Sequence, residues 1–140
     1  MKLNPDCIRD ILLFLEENLE IKDGSFTAVS LQTLEDSLTA YSKEDIFYSV
    51  YNLREIHYIE GRFMGADNLK MYVCHIENIT YAGHQFLDSV RPETVWNQTK
   101  SIIKKMGIHT LEFIESVAHD VAVESAKQAV ITSMSSGTTA

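Results

Sequence analysis

Disulfide scaffolding, membrane-spanning runs and positive charge are all scarce in this chain, and each scarcity excludes something. Only two cysteines occur in 140 residues, Cys7 and Cys74, both set within apolar patterns and neither in a CxxC pair. Reduced thiols of a cytoplasmic protein are the expectation, with a single Cys7–Cys74 bridge as the open alternative. The longest apolar run, Ile11-Leu12-Leu13-Phe14-Leu15, is flanked by acids. It is far short of the ~20 residues a membrane helix needs, and it does not form a signal peptide. No membrane partner is expected.

Bases are few. Lys and Arg number 12 against 20 Asp and Glu, a formal net charge of −8. From Phe26 to His75 the only bases are Lys43, Arg54, Arg62 and Lys70, and the one net-basic segment is 92–108. Chemistry-bearing patterns are missing too. His57, His75, His84, His109 and His119 show no His-x₃-His spacing, and Cys74 and His75 point to opposite faces of a strand. No G-x-S-x-G, Walker loop or H-E-x-x-H occurs, and Gly61 and Gly65 are too sparse to cradle a phosphate. We therefore expect no metal, no cofactor and no enzyme.

What is present is a globular chain, 45% hydrophobic, with enough apolar content for one domain and an appendage. Its organising stretch runs from Ser42 to Gly61. Ser42 caps a helix, Asp45 answers the cap, and Ile46, Val50 and Leu53 make one buried stripe. The helix stops near His57, and Tyr58-Ile59 leads extended into Gly61.

Upstream, Asn4-Pro5-Asp6 starts a first helix with a cap, an N1 proline and a dipole-matched acid. Ile8, Ile11, Leu12, Leu15 and Leu19 keep one face of it apolar. Asp23-Gly24-Ser25 turns the chain, Phe26 to Leu31 suits a short strand, and Leu31, Leu34 and Leu38 form a short second helix capped at Thr33. Downstream, Tyr58–Phe63 and Lys70–Asn78 pair around a turn at residues 64–68. Thr80 caps a helix containing Phe86, Leu87 and Val90. Pro92 restarts the chain into a helix with Val95, Trp96, Ile102 and Ile103, ending at Met106-Gly107. A last helix runs from about Thr110 to Ile131.

The run Ile79-Thr80-Tyr81-Ala82-Gly83-His84-Gln85-Phe86-Leu87, with Ser89-Val90-Arg91 and Val95-Trp96-Asn97, resembles a family of small winged-helix proteins of unknown function common in phages and prophages. Ile8-Arg9-Asp10-Ile11-Leu12 and the Tyr48-to-Leu53 region before Ile59 are similar too. The likeness covers roughly residues 1–105. His57 and Tyr58 depart from it, standing where winged helices commonly place a small residue and Gly. The resemblance implies a fold and a phage-type origin, and it transfers no catalytic residue.

The expected architecture is α+β: a winged helix-turn-helix over 1–91, a C-terminal helical extension over 92–131 and a disordered tail over 132–140. On the Ser42–Ile56 helix, Tyr48, Asn52 and Glu55 are expected outward, with Lys43, Glu44, Phe47 and Tyr51 flanking them. Candidate contact residues for DNA or a partner are Ser42, Lys43, Tyr48, Tyr51, Asn52, Arg62 and Lys70. The leading expectation is a phage-type accessory or regulatory protein binding DNA selectively, although the net charge opposes DNA. Because 6–10 phosphate contacts exceed what one copy's bases supply, DNA binding implies a homodimer. Leu111, Ile114, Ala118 and Val121 are the candidate oligomerisation stripe. The alternative is a protein-interaction module that uses an acidic, tyrosine-rich face.

Overall fold

Asn4 and Pro5 open the chain's first helix as their chemistry requires. In the computed structural model, which describes residues 1–65 and 71–137, the Asn4 side chain accepts from the Cys7 backbone N–H at 3.3 Å. Helix α1 spans Pro5–Asn18 and buries Cys7, Ile8, Ile11, Leu12 and Leu15. It gives way to a small hairpin, β1 (Ile21–Lys22) and β2 (Ser25–Phe26), that the sequence suggested only as a turn. Asp23 and Gly24 both take positive φ there, 51° and 76°, the backbone of a tight two-residue hairpin loop.

Strand β3 (Val29–Ser30) precedes helix α2 (Leu31–Ser37). The α2 cap is Ser30, not Thr33. Ser30 is extended, and its hydroxyl accepts from the Thr33 N–H at 3.1 Å, so Thr33 is the third helical residue. Helix α3 (Lys43–Glu55) starts at Ser42, whose hydroxyl accepts from the Asp45 N–H at 3.1 Å. It buries Ile46, Ser49, Val50 and Leu53. Strands β4 (Ile59–Gly65) and β5 (Met71–Ile79) are antiparallel, and β5 also pairs with β3, giving the order β3-β5-β4. Gly61 is required where the two long strands approach: a Cβ there would lie 2.0 Å from the His75 carbonyl oxygen.

Among the described residues, helices α4 (Tyr81–Val90), α5 (Glu93–Met106) and α6 (Leu111–Gly137) follow, giving a mixed α+β arrangement with two small antiparallel sheets. By internal contacts the chain divides into Met1–Leu87 and Asp88–Ala140. In the first unit the core lies between α1, α3 and the three-stranded sheet. In the second, α5 and α6 pack on each other, with Val95, Trp96, Thr99, Ile103, Leu111, Ile114 and Ala118 buried. Thr99 is tolerated there because its hydroxyl donates to the Val95 carbonyl at 2.7 Å. Gly107 ends α5 in the left-handed region, φ 69°.

Two expectations change in the second unit. The oligomerisation stripe of Leu111, Ile114 and Ala118 is filled from within the chain, so a second copy cannot reach it; Val121 alone stays half-buried. The segment from residue 132, expected as a disordered tail, is helical as far as Gly137, since nothing between Ile131 and that glycine breaks a helix. Cys7 and Cys74 are free, buried thiols. No helix of the described residues is long and apolar enough to cross a membrane.

Candidate interaction face on helix α3

The junction after α3 is fixed by its backbone hydrogen bonds. Tyr58 N–H bonds to the Leu53 carbonyl at 2.9 Å and His57 N–H to the Arg54 carbonyl at 3.0 Å. That pair of bonds is a Schellman C-cap, and its left-handed position falls on His57, φ 62°. Glycine usually occupies that place because a Cβ costs about 1–2 kcal/mol there. The departure noted at His57 in the sequence is therefore a non-glycine residue held in a glycine conformation.

Helix α4 holds it. Thr80 donates its hydroxyl to the His57 carbonyl at 2.6 Å, and its N–H bonds to the Tyr58 carbonyl at 3.0 Å. The same hydroxyl accepts from the Gly83 N–H at 3.1 Å, capping α4. Tyr58 is buried and stacks on Phe86, centroids 5.3 Å apart. A Cβ at Gly83 would sit 2.3 Å from the Tyr58 carbonyl oxygen. The residues that carried the family likeness, Thr80, Gly83 and Phe86, thus clamp α4 onto the α3–β4 corner.

The buried arc of α3 fixes what it presents. Ser49 is 1% exposed, its hydroxyl against the buried Cys7 thiol of α1. Including Ser49 with Ile46, Val50 and Leu53 rotates the inner arc, since successive residues step 100°. The opposite stripe is then Glu44, Tyr48, Tyr51 and Glu55, spaced four, three and four residues. Two tyrosines lie between two carboxylates.

Each candidate contact residue can now be placed. Ser42 spends its hydroxyl on its own helix, and Lys43 is exposed beside it. Tyr48 is half-buried and Tyr51 is 46% exposed. Asn52, expected outward, is on the flank: its amide donates to the Tyr48 carbonyl at 2.8 Å and is half-buried. Arg62 pairs with Glu77 of β5 at 2.9 Å. By strand alternation Arg62 lies on the sheet face opposite Phe63, and so is not gathered with the α3 stripe. Lys70 lies outside the described residues.

Other residues join the face without having been anticipated. Arg54 lies over the Phe63 ring of β4, 4.8 Å from its centroid, a cation–π contact tying α3 to the hairpin. Next to it, Arg54, Glu55, His57, Ile59, Glu60, Gly61 and Phe63 line a recess of about 430 Å³. The i, i+4, i+7 series from Glu44 was present in the sequence; the polar character of Ser49 hid the correct rotation. Tyr41 belongs to the frame and not the face. Burial, and then its hydroxyl donating to Asp10 at 2.5 Å, raise its pKa above the ordinary phenol range. Among the described residues no group of three His, Cys, Asp or Glu could hold a metal ion.

A family model described as "Hypothetical protein (DUF2513)" matches residues 2–109. A protein of Haemophilus influenzae described as uncharacterized is 33% identical over 122 residues, covering 86% of this chain and 95% of its own length. No solved structure matches the chain.

Proposed function

The chain belongs to the DUF2513 family, and from that premise we propose a winged-helix interaction module that uses α3 to bind the basic surface of another protein. The element order α1, β3, α2, α3, β4, β5, with strand order β3-β5-β4, supports the winged-helix reading. Helix α3 then takes the recognition position and β4–β5 the wing. The proposed setting is the bacterial cytoplasm, as a phage-type accessory protein acting on a host or phage protein.

The observation that carries this reading is the outward stripe Glu44–Tyr48–Tyr51–Glu55. A recognition helix docked on DNA would bring both carboxylates toward phosphates. DNA binding rests on phosphate contacts, 6–10 of them in a typical strong complex. The described bases of α3 and β4 are Lys43, Arg54 and Arg62, against Glu44, Asp45, Glu55 and Glu60. Arg54 is engaged with Phe63 and Arg62 with Glu77. The same stripe suits a cationic protein. Tyrosine gives large, stiff contact area and a ring face for a partner's Arg or Lys, and flanking carboxylates complement its charge.

The test pairs two assays on wild type and the double variant Glu44→Lys/Glu55→Lys. The reading expects protein partners captured from bacterial lysate by wild type and lost by the variant, with wild type leaving duplex DNA unshifted at physiological salt. Wild type shifting DNA while capturing the same proteins as the variant would overturn it in favour of DNA.

A further inference from the structure

The small hairpin after α1 displays apolar surface. Strands β1 and β2 have two residues each, too few to be stable by pairing alone. Turn chemistry holds them. Asp23 and Gly24 take the positive φ of the loop. At the base, the Thr27 N–H bonds to the Glu20 carbonyl at 2.9 Å and the Glu20 N–H to the Thr27 hydroxyl at 3.0 Å. Ile21 and Phe26 stand directly opposite across the two strands, so their side chains share one side. They are 68% and 51% exposed. Together they wall a groove of about 360 Å³ within the first unit, floored by Leu15 of α1, its C-cap Leu19 and Ile79 of β5.

Charge says what fits this groove. Glu16, Glu20 and Glu77 rim it, and the described residues that line it include no Lys or Arg. Glu20 pairs with Lys22 at 3.3 Å and Glu77 with Arg62 at 2.9 Å. Exposed ion pairs hold weakly, and a carboxylate keeps acceptor sites for a second cation. The end of α1 adds to the demand. The helix stops at Asn18 with Glu16 and Glu17 in its last turn and no base there. Acids at that end oppose the macrodipole, whose negative pole lies on the last carbonyls. Departures of this kind from local preference concentrate at functional sites.

We propose that this groove docks a basic, apolar segment of another protein. An apolar side chain of the partner enters between Ile21, Phe26 and Ile79, and flanking Lys or Arg meet Glu16 and Glu20. The open wall favours a protein over a small molecule. Small-molecule pockets bury most of their ligand, whereas Ile21 and Phe26 need cover from outside the groove as well. Nucleic acid or anionic lipid would bring negative charge against three carboxylates. Most of a second copy, at −8, would be repelled too. The groove is a different surface from the α3 stripe, and the inference holds whether or not that stripe binds protein.

The test uses a short synthetic amphipathic peptide of leucine and lysine, and its counterpart with glutamate in place of lysine. Binding is read from amide shifts in nuclear magnetic resonance spectra of the full chain carrying Glu44→Lys/Glu55→Lys, which takes the α3 stripe out of play. The lysine peptide is expected to shift Leu19, Ile21, Phe26 and Ile79, and the glutamate peptide to leave them unmoved. Adding Ile21→Ser/Phe26→Ser changes exposed positions without changing charge, and is expected to weaken binding at least ~10-fold. Adding Glu16→Gln/Glu20→Gln instead keeps the apolar wall, and should weaken binding and flatten its salt dependence. Circular dichroism of each variant checks that the fold persists. Equal binding of the glutamate peptide overturns the proposal. So does a lysine-peptide affinity indifferent to both groove variants, which leaves only attraction to net charge. Groove shifts that grow with protein concentration in the absence of peptide would give the groove to a second copy, and overturn it as well.

Discussion

Gly83→Ala is the substitution on which general helix propensity and this structure disagree in sign. Alanine in a helix interior is normally better than glycine by about 1 kcal/mol, and Gly83 lies within α4. Here the added Cβ would be 2.3 Å from the Tyr58 carbonyl oxygen and 2.8 Å from Ile79 Cγ2. The oxygen is backbone, held by the Thr80 N–H at 3.0 Å, so it cannot swing aside as a flexible side chain would. Helix α4 must lift off the α3–β4 corner, lengthening the Thr80–His57 bond and loosening the Tyr58–Phe86 stack. Forced overpacking of this kind costs about 1–3 kcal/mol. For a unit of this size that is a fall in melting temperature of roughly 4–20 °C. Circular dichroism melting measures it, and Trp96, the only tryptophan, reports separately on the second unit. A melting temperature unchanged or raised by Gly83→Ala would refute the clamp.

Three further outcomes follow from named contacts. His57→Gly should raise stability by about 0.5–1 kcal/mol, the relief of a left-handed Cβ less the added freedom of the unfolded chain; a loss in urea unfolding would contradict the Schellman assignment. Burial pushes the Cys7 and Cys74 thiols up from an ordinary 9.0 to about 11. Because the unfolded chain ionises first, stability is full below pH 9 and falls as pH rises toward 11, on the order of 2–5 kcal/mol for the two together. Cys7→Ala/Cys74→Ala should flatten that decline, and both native thiols should react slowly with a disulfide reagent until urea is added. Asn52→Ala should leave stability within about 0.5 kcal/mol and leave partner capture intact, since its amide serves only its own helix.

Much of the architecture was legible in the residues because local chemistry and burial agreed. Asn4-Pro5, Ser42 and Gly107 mark helix ends by capping chemistry alone, and Ile46, Val50 and Leu53 declare an inner stripe by spacing. The errors fell where tertiary packing overrode residue type. Ser49 is polar yet wholly buried against Cys7, and missing it turned the outward face of α3 by a residue toward Asn52. Leu111, Ile114 and Ala118 have the spacing of an interface; whether such a stripe meets its own chain or another is decided by α5, which periodicity does not contain. The end of α6 was misjudged for a related reason. Small polar residues resemble a tail, but Thr132 to Ser136 hold no proline or glycine to break a helix already under way.

The central claim is that the Glu44–Tyr48–Tyr51–Glu55 stripe meets protein and not nucleic acid. Replacing Tyr51 by a photo-crosslinking phenylalanine analogue tests it most directly, because the residue is 46% exposed and the analogue keeps its ring. A matched probe at Gln98, exposed on α5, is the control. Irradiation in living bacteria should give discrete adducts at Tyr51, absent at Gln98, that are destroyed by protease and untouched by nuclease. Nuclease-sensitive adducts at Tyr51, or a pattern identical to that at Gln98, would contradict the account.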